Sequence, residues 1–129
     1  EGQGSLMNPA YPGGFEILAA ARPEVVILQH APARVEYDGF PGHRLHGLRQ
    51  QIDATELISD KPVVAITVNH EGIPHKDIPA ACRAITDQTL LPAIDVLTEG
   101  AAGLVRLLVP RILHKASVKS RSQAGVSHA

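Results

Sequence analysis

The run Val63-Val64-Ala65-Ile66-Thr67-Val68 decides the fold class of this chain. It follows Pro62, is almost entirely apolar and is rich in β-branched residues, which predicts a strand that is buried on both faces. A second such run, Val25-Val26-Ile27-Leu28, lies earlier in the chain, and residues 91–96 predict a short third strand. Strands of this composition are typical of parallel sheets that are covered by helices.

Helical patterns separate these strands. We predict helices near residues 15–22, 45–59, 78–89 and 101–115. Because helices alternate with strands, the sequence predicts an α/β fold, a three-layer parallel sheet with helices on both faces. We expect residues 1–116 to form the domain and the polar residues 117–129 to be a disordered tail.

The composition argues against several classes of protein. The 129 residues are 44% hydrophobic and 19% charged, which is typical of one globular domain. The net charge of −1 argues against nucleic-acid binding. No apolar run reaches the roughly 18 to 20 residues that cross a bilayer, so we expect no membrane partner. Because Cys82 is the single cysteine, an internal disulfide is excluded and a cytoplasmic location is the default.

The chain begins with a glycine-spaced loop and without an initiator methionine. Residues Glu1-Gly2-Gln3-Gly4-Ser5 place a carboxylate beside a loop with little side-chain bulk, which suits a bound cation and a phosphate. Glu1 could bind magnesium, and the alternative is a solvated acid in a turn. In nucleotide-binding α/β folds such a loop follows a buried strand, so we expect an N-terminal half of the same protein to precede it.

Further candidates follow the other strands, because ligands of open parallel sheets bind beyond the carboxyl ends of the strands. His30 and Arg34 could bind a carboxylate or phosphate and move a proton; alternatively they are a strand-capping histidine and a surface arginine. Asn69 could present its amide to a nucleotide base or could simply form a turn. Asp95 lies at the end of the third strand.

We interpret two pairs of histidines and the cysteine as structural. The histidine pairs have no nearby carboxylate or cysteine to complete a metal site, and the cysteine lies on an apolar helix face. These residues are His43, His46, His70, His75 and Cys82. The phosphate-binding motif G-x-x-x-x-G-K-[ST] does not occur in the sequence either. We therefore do not expect this chain to be catalytically active alone.

Four segments together resemble the C-terminal domain of the D-glutamate N-acetyltransferase-like family, formerly a domain of unknown function. The resemblance runs from residue 1 to about residue 113. It implies the C-terminal half of a P-loop NTPase-like fold, similar to dethiobiotin synthetase, with the phosphate-binding loop upstream. The segments are Glu1-Gly2-Gln3-Gly4-Ser5-Leu6 with Asn8-Pro9-Ala10-Tyr11, His30-Ala31-Pro32-Ala33-Arg34, Ala65-Ile66-Thr67-Val68-Asn69 and Pro92-Ala93-Ile94-Asp95.

The resemblance also implies an activity, the transfer of acetyl from acetyl-CoA to the amino group of D-glutamate or a related D-amino acid. His30 would be the base, Glu1 would act near magnesium, and Asn69 would contact a base or adenine. The expected substrate and cofactor contacts are Gly2, Gln3, Gly4, Ser5, Tyr11, Arg34, Asn69 and Asp95.

Two other functions remain open at this point. One is an ATP- and Mg-dependent ligase or phosphotransferase of the dethiobiotin synthetase type, and the other is a non-catalytic nucleotide-binding module. In each case we expect a small-molecule ligand, and we expect the protein to be a homo-oligomer.

Overall fold

The computed structural model describes residues 6–10 and 13–124 of the chain, and the side chains of residues 6–10 and 13–113. The chain divides into two compact units, residues 1–95 and 96–129. The first unit contains α1 (Gly13–Ala21), β1 (Val26–His30), α2 (Leu48–Ser59), β2 (Val63–Val68), a 3-10 turn (His75–Asp77), α3 (Ile78–Thr89) and β3 (Ala93–Ile94). The second contains α4 (Val96–Glu99) and α5 (Ala102–Ala124).

The three strands form one parallel sheet in the order β1-β2-β3. His30 at the end of β1 lies beside Val68 of β2, and Ile66 of β2 lies beside Ala93 of β3. Five of the six residues of β2 are buried, because it is the central strand and neighbouring elements cover both of its faces. The predicted α/β class with a parallel sheet is therefore confirmed.

The core of the first unit joins α2, β2 and α3. Ile52 of α2 is 1% exposed and Ile66 of β2 is 0% exposed. Burying an aliphatic side chain of this size stabilises the fold by about 1.5–3 kcal/mol. Cys82, which we placed on an apolar helix face, is buried among these residues. The cluster consists of Leu48, Ile52, Val63, Ile66, Val68, Ile78, Cys82 and Ile85.

The third strand is shorter than predicted. It contains only Ala93 and Ile94, whereas residues 91–96 were expected. Pro92 has no N–H to donate, although its carbonyl accepts a hydrogen bond from the backbone N–H of Ile66 at 2.8 Å. On the other side, Val96 already begins α4. Asp95 therefore lies in the connection that directly follows the sheet.

Helix α5 of the second unit is longer than the sequence predicts. Its backbone is helical as far as Ala124, beyond Ser117, where we expected disorder to begin. No glycine or proline occurs between Arg111 and Ala124, so nothing in the backbone chemistry ends the helix earlier. Among the helices of the described ranges, none combines the length and the apolar character that a membrane crossing requires.

Candidate functional site

Polar residues from all three strands meet at the carboxyl edge of the sheet. His30 is the last residue of β1, Asn69 follows β2 and Asp95 follows β3. The backbone N–H of Asn69 donates to the carbonyl of His30 at 2.8 Å, which joins the first two of these positions directly. We use the name strand-end cluster for His30, Arg34, Asn69, His70, Glu71 and Asp95.

The loops after β1 and β2 are in contact. Arg34 Nη2 and Glu71 Oε2 form an ion pair at 2.5 Å, with side chains that are 40% and 65% exposed. Gly72 lies in the same turn as Glu71, with φ of +78°, and an added β-carbon there would lie 3.3 Å from Cβ of Ala33. The two loops therefore support each other through one ion pair and one close backbone approach.

A groove of about 480 Å³ runs along β1 to this edge of the sheet. His30, Arg34 and Asn69 line it at the strand ends, and apolar side chains of α1 together with Gln51 and Thr55 of α2 line the remainder. Its volume lies within the range of small-molecule sites, about 300–1,000 Å³. Three of the residues that we predicted from sequence thus share one concave surface; their roles stay predictions.

The environment of His30 favours a neutral ring. Burial lowers the pKa of His30 below its ordinary value of 6.5, because the charged imidazolium loses hydration in this setting. At neutral pH the ring therefore has one nitrogen that donates a hydrogen bond and one nitrogen with a lone pair.

His70 and Asp95 form a pair that the sequence interpretation missed. His70 Nδ1 is hydrogen-bonded to Asp95 Oδ2. The Asp95 side chain is completely buried, whereas that of His70 is 31% exposed. We interpreted His70 as structural because the sequence does not complete a metal-ligand set around the pair His70 and His75. The position of both residues directly after adjacent strands was the signal that could have identified the pair.

His46 and His43, in the loop before α2, contact neighbouring side chains of the same region. The Tyr37 hydroxyl and His46 Nδ1 lie 2.5 Å apart, and the Gln51 side-chain amide donates to the His46 carbonyl at 2.8 Å. Tyr37 is buried, so these bonds attach the loop before α2 to the helix. The ring of His43 packs edge-on against Phe40.

The predicted magnesium and loop contacts, Glu1-Gly2-Gln3-Gly4-Ser5 and Tyr11, lie outside the described residues. Among the side chains of residues 6–10 and 13–113, no group of three histidines, cysteines, aspartates or glutamates could bind a metal ion. The magnesium site that we expect at Glu1 stays a prediction, and we derive no step through a metal.

Comparison with known proteins identifies relatives of two kinds. Two curated proteins named D-glutamate N-acetyltransferase are similar to this chain. The protein from Tritonibacter scottomollicae is 30% identical over 114 residues, which cover 84% of this chain and 34% of the relative. The protein from Pseudoalteromonas sp. is 27% identical over 111 residues, which cover 81% of this chain and 33% of the relative. The chain thus spans about one third of the length of these relatives.

A solved structure shares the fold. The crystal structure of a DUF1611 family protein from Anabaena variabilis ATCC 29413 superposes with a TM-score of 0.78 at 24% identity, covering 85% of this chain and 34% of the other. A family model described as a domain of unknown function, DUF1611_C, P-loop domain, matches residues 1–105. Because that match covers most of the 129 residues, the chain belongs to the DUF1611 family and has the α/β fold of its P-loop domain.

Proposed function

We propose that the protein that contains this chain transfers acetyl from acetyl-CoA to the amino group of D-glutamate or a related D-amino acid. The observation that carries the proposal is the similarity, over more than four fifths of the chain, to two proteins named D-glutamate N-acetyltransferase. The whole activity also requires the remaining two thirds that such relatives possess, so the roles below concern this chain's share of the site.

Arg34 is suited to bind a carboxylate of the acceptor. Its guanidinium already forms an ion pair with the Glu71 carboxylate at the mouth of the groove. Exposed ion pairs of this kind contribute about 0–1 kcal/mol, so a substrate carboxylate can displace Glu71 at little cost. Arginine also donates two parallel hydrogen bonds to a carboxylate, which orients a dicarboxylic amino acid better than a lysine would.

His30 and Asn69 are suited to polar recognition beside Arg34. His30 is neutral at physiological pH because burial lowers its pKa, so it can accept a hydrogen bond or a proton in the groove. The side-chain oxygen of Asn69 accepts a hydrogen bond from the backbone N–H of Glu71 at 3.0 Å. Its amide nitrogen therefore remains a donor for an amino acid carboxylate or for the adenine of acetyl-CoA.

The P-loop description of the family supports a ligand that carries phosphates, and it favours a second candidate function. ATP and coenzyme A both have an adenine and a pyrophosphate, so a P-loop domain could bind either. We propose acetyl-CoA as the co-substrate because the two relatives are named as acetyltransferases. The alternative is an ATP- and Mg-dependent ligase or phosphotransferase.

One assay separates these functions. The full-length gene product that contains these 129 residues is incubated with acetyl-CoA and D-glutamate, and free thiol release is followed, with L-glutamate and no acceptor as controls. Thiol release that requires the D-amino acid is the expected result. ADP or phosphate release from ATP and magnesium, without thiol release, would instead favour the ligase or phosphotransferase. A protein that binds either nucleotide but turns over neither would be a binding module.

A further inference from the structure

We propose that His70, rather than His30, accepts the proton of the substrate ammonium group, and that Asp95 is its positioning residue. This inference rests on the proposed function, because it names the base of that acetyl transfer. It begins from a contact that the sequence interpretation did not anticipate, the hydrogen bond between His70 Nδ1 and Asp95 Oδ2.

The geometry of this pair fixes the state of the imidazole. When Asp95 is ionised it can only accept hydrogen bonds, so the bond then places a hydrogen on Nδ1 of His70 and leaves the lone pair on Nε2. The carboxylate is 0% exposed, whereas the histidine side chain is 31% exposed. A substrate can therefore reach the ring but not the group that orients it, which is the arrangement that a general base needs.

The pair lies at the carboxyl edge of the sheet where the groove ends, although His70 and Asp95 are not themselves groove-lining residues. Asn69, which precedes His70, lines the groove and is hydrogen-bonded through its backbone to His30. Glu71, which follows it, forms the ion pair with groove-lining Arg34. The chain thus places His70 between two residues whose contacts are made at the groove.

His30 is the weaker choice for the same role. Burial lowers its pKa, so at neutral pH it holds a proton less well than an ordinary imidazole. The charged and titratable groups near His70 include Asp95, the His75 ring with its centroid 6.3 Å away, and Glu71, which is paired with Arg34.

The proton balance of the step is simple. One proton leaves the substrate ammonium for His70 Nε2, which produces a neutral amine. The amine nitrogen attacks the thioester carbonyl carbon, and the new C–N bond replaces the C–S bond. The nitrogen then loses a second proton, which ends on the coenzyme A sulfur, and the amide keeps the third. The imidazolium of His70 finally releases its proton to water, so no oxidant or further reactant is needed.

The test compares four variants of the full-length gene product with the wild type. His70→Asn removes the base, Asp95→Asn removes the positioning carboxylate, His30→Asn removes the competing base, and His43→Asn is the matched control, an exposed histidine outside the strand-end cluster. For each, kcat and the KM for both substrates are measured as functions of pH, and thermal unfolding confirms that the variant is folded.

We expect His70→Asn to lower kcat by about 10²–10⁴-fold with little change in KM, and to abolish the decline of kcat on the acid side. Asp95→Asn should lower kcat less than His70→Asn does, and it should shift the pH at which kcat declines on the acid side. A residue with only a structural role would not shift that pH. His30→Asn should raise KM and leave the acid-side decline of kcat unchanged. His43→Asn should behave as the wild type.

The outcomes separate this role from the proposed function. Acetylation that survives His70→Asn with an unchanged acid limb would overturn the role alone. A wild type that acetylates no amine would overturn the proposed function and the role with it. In addition, nitrogen-15 NMR of the wild type should find the hydrogen of neutral His70 on Nδ1. A hydrogen on Nε2 would also overturn the role, whether or not the variants fold.

Discussion

Replacing Gly72 by alanine tests the contact between the two loops that build the site, and Gly39 offers a matched control. Both glycines have φ of +78°. Both occupy the third position of a four-residue turn that is closed by a backbone hydrogen bond, at 2.9 Å for Gly72 and 3.0 Å for Gly39. Only their surroundings differ. A β-carbon at Gly72 would lie 3.3 Å from Cβ of Ala33, whereas one at Gly39 would have nothing within 4 Å.

The expected free energies follow from these two conformations. An L-residue in the left-handed region costs about 1–2 kcal/mol. The more restricted unfolded chain offsets about 0.4–1 kcal/mol of this cost. We therefore expect Gly39→Ala to lower the free energy of unfolding by about 1 kcal/mol. Inserting a methyl group into a packed site costs about 1–3 kcal/mol, and because Gly72 and Ala33 are exposed we take the lower end. Gly72→Ala should thus lose about 1 kcal/mol more than Gly39→Ala.

Urea unfolding followed by far-UV circular dichroism measures these losses. A double-mutant cycle with Ala33→Gly, which removes the opposing methyl group, should recover the extra loss in Gly72→Ala. The same Ala33→Gly change should recover nothing in Gly39→Ala. Equal losses for the two glycine variants, or a cycle without recovery, would refute the argument that the loops after β1 and β2 pack against each other.

The remaining predictions concern the core and one histidine. Ile66→Ala should lower the free energy of unfolding by about 2–5 kcal/mol because the side chain is 0% exposed. Leu57→Ala, at a side chain that is 84% exposed, should change it by less than about 0.5 kcal/mol; similar losses in urea unfolding would contradict the assigned core. Burial holds the pKa of His30 in the folded state below its ordinary value of 6.5. At pH values between the folded-state pKa and 6.5, the unfolded state therefore binds more protons than the folded state. Stability should therefore fall as the pH decreases through this window. In His30→Asn, the thermal unfolding temperature should depend less on pH within the same window. An unchanged slope in the variant would contradict the burial effect.

The central elements of the first unit were predictable from sequence because one signal dominated in each. In β2 every residue is apolar or β-branched, and the strand occupies Val63–Val68 as predicted. In α3 the apolar spacing and a proline in the first turn set the bounds Ile78–Thr89. The third strand was less predictable, because Ile94 and Val96 are both β-branched and favour a strand, although Val96 begins α4.

The candidate site was predictable where it depends on topology alone. His30 and Asn69 lie at one groove because parallel strands end at the same edge of a sheet. The bond between His70 and Asp95 was not predictable from spacing, since 25 residues and a complete helix separate the two positions. Only the pairing of β2 with β3 brings the two residues together, and no local sequence motif at either residue predicts their contact.

The length of β2 has a consequence for how this protein can vary. Successive strand residues point to opposite faces of the sheet. Inserting or deleting one residue between Val63 and Val68 would therefore move every later side chain of the strand to the opposite face. Changes in chain length are instead tolerable at the turns around Gly39 and Gly42, where an added β-carbon meets nothing within 4 Å. The carboxyl edge of the sheet is thus sensitive to a change in the length of β2, and less sensitive to a change in the length of the turns before α2.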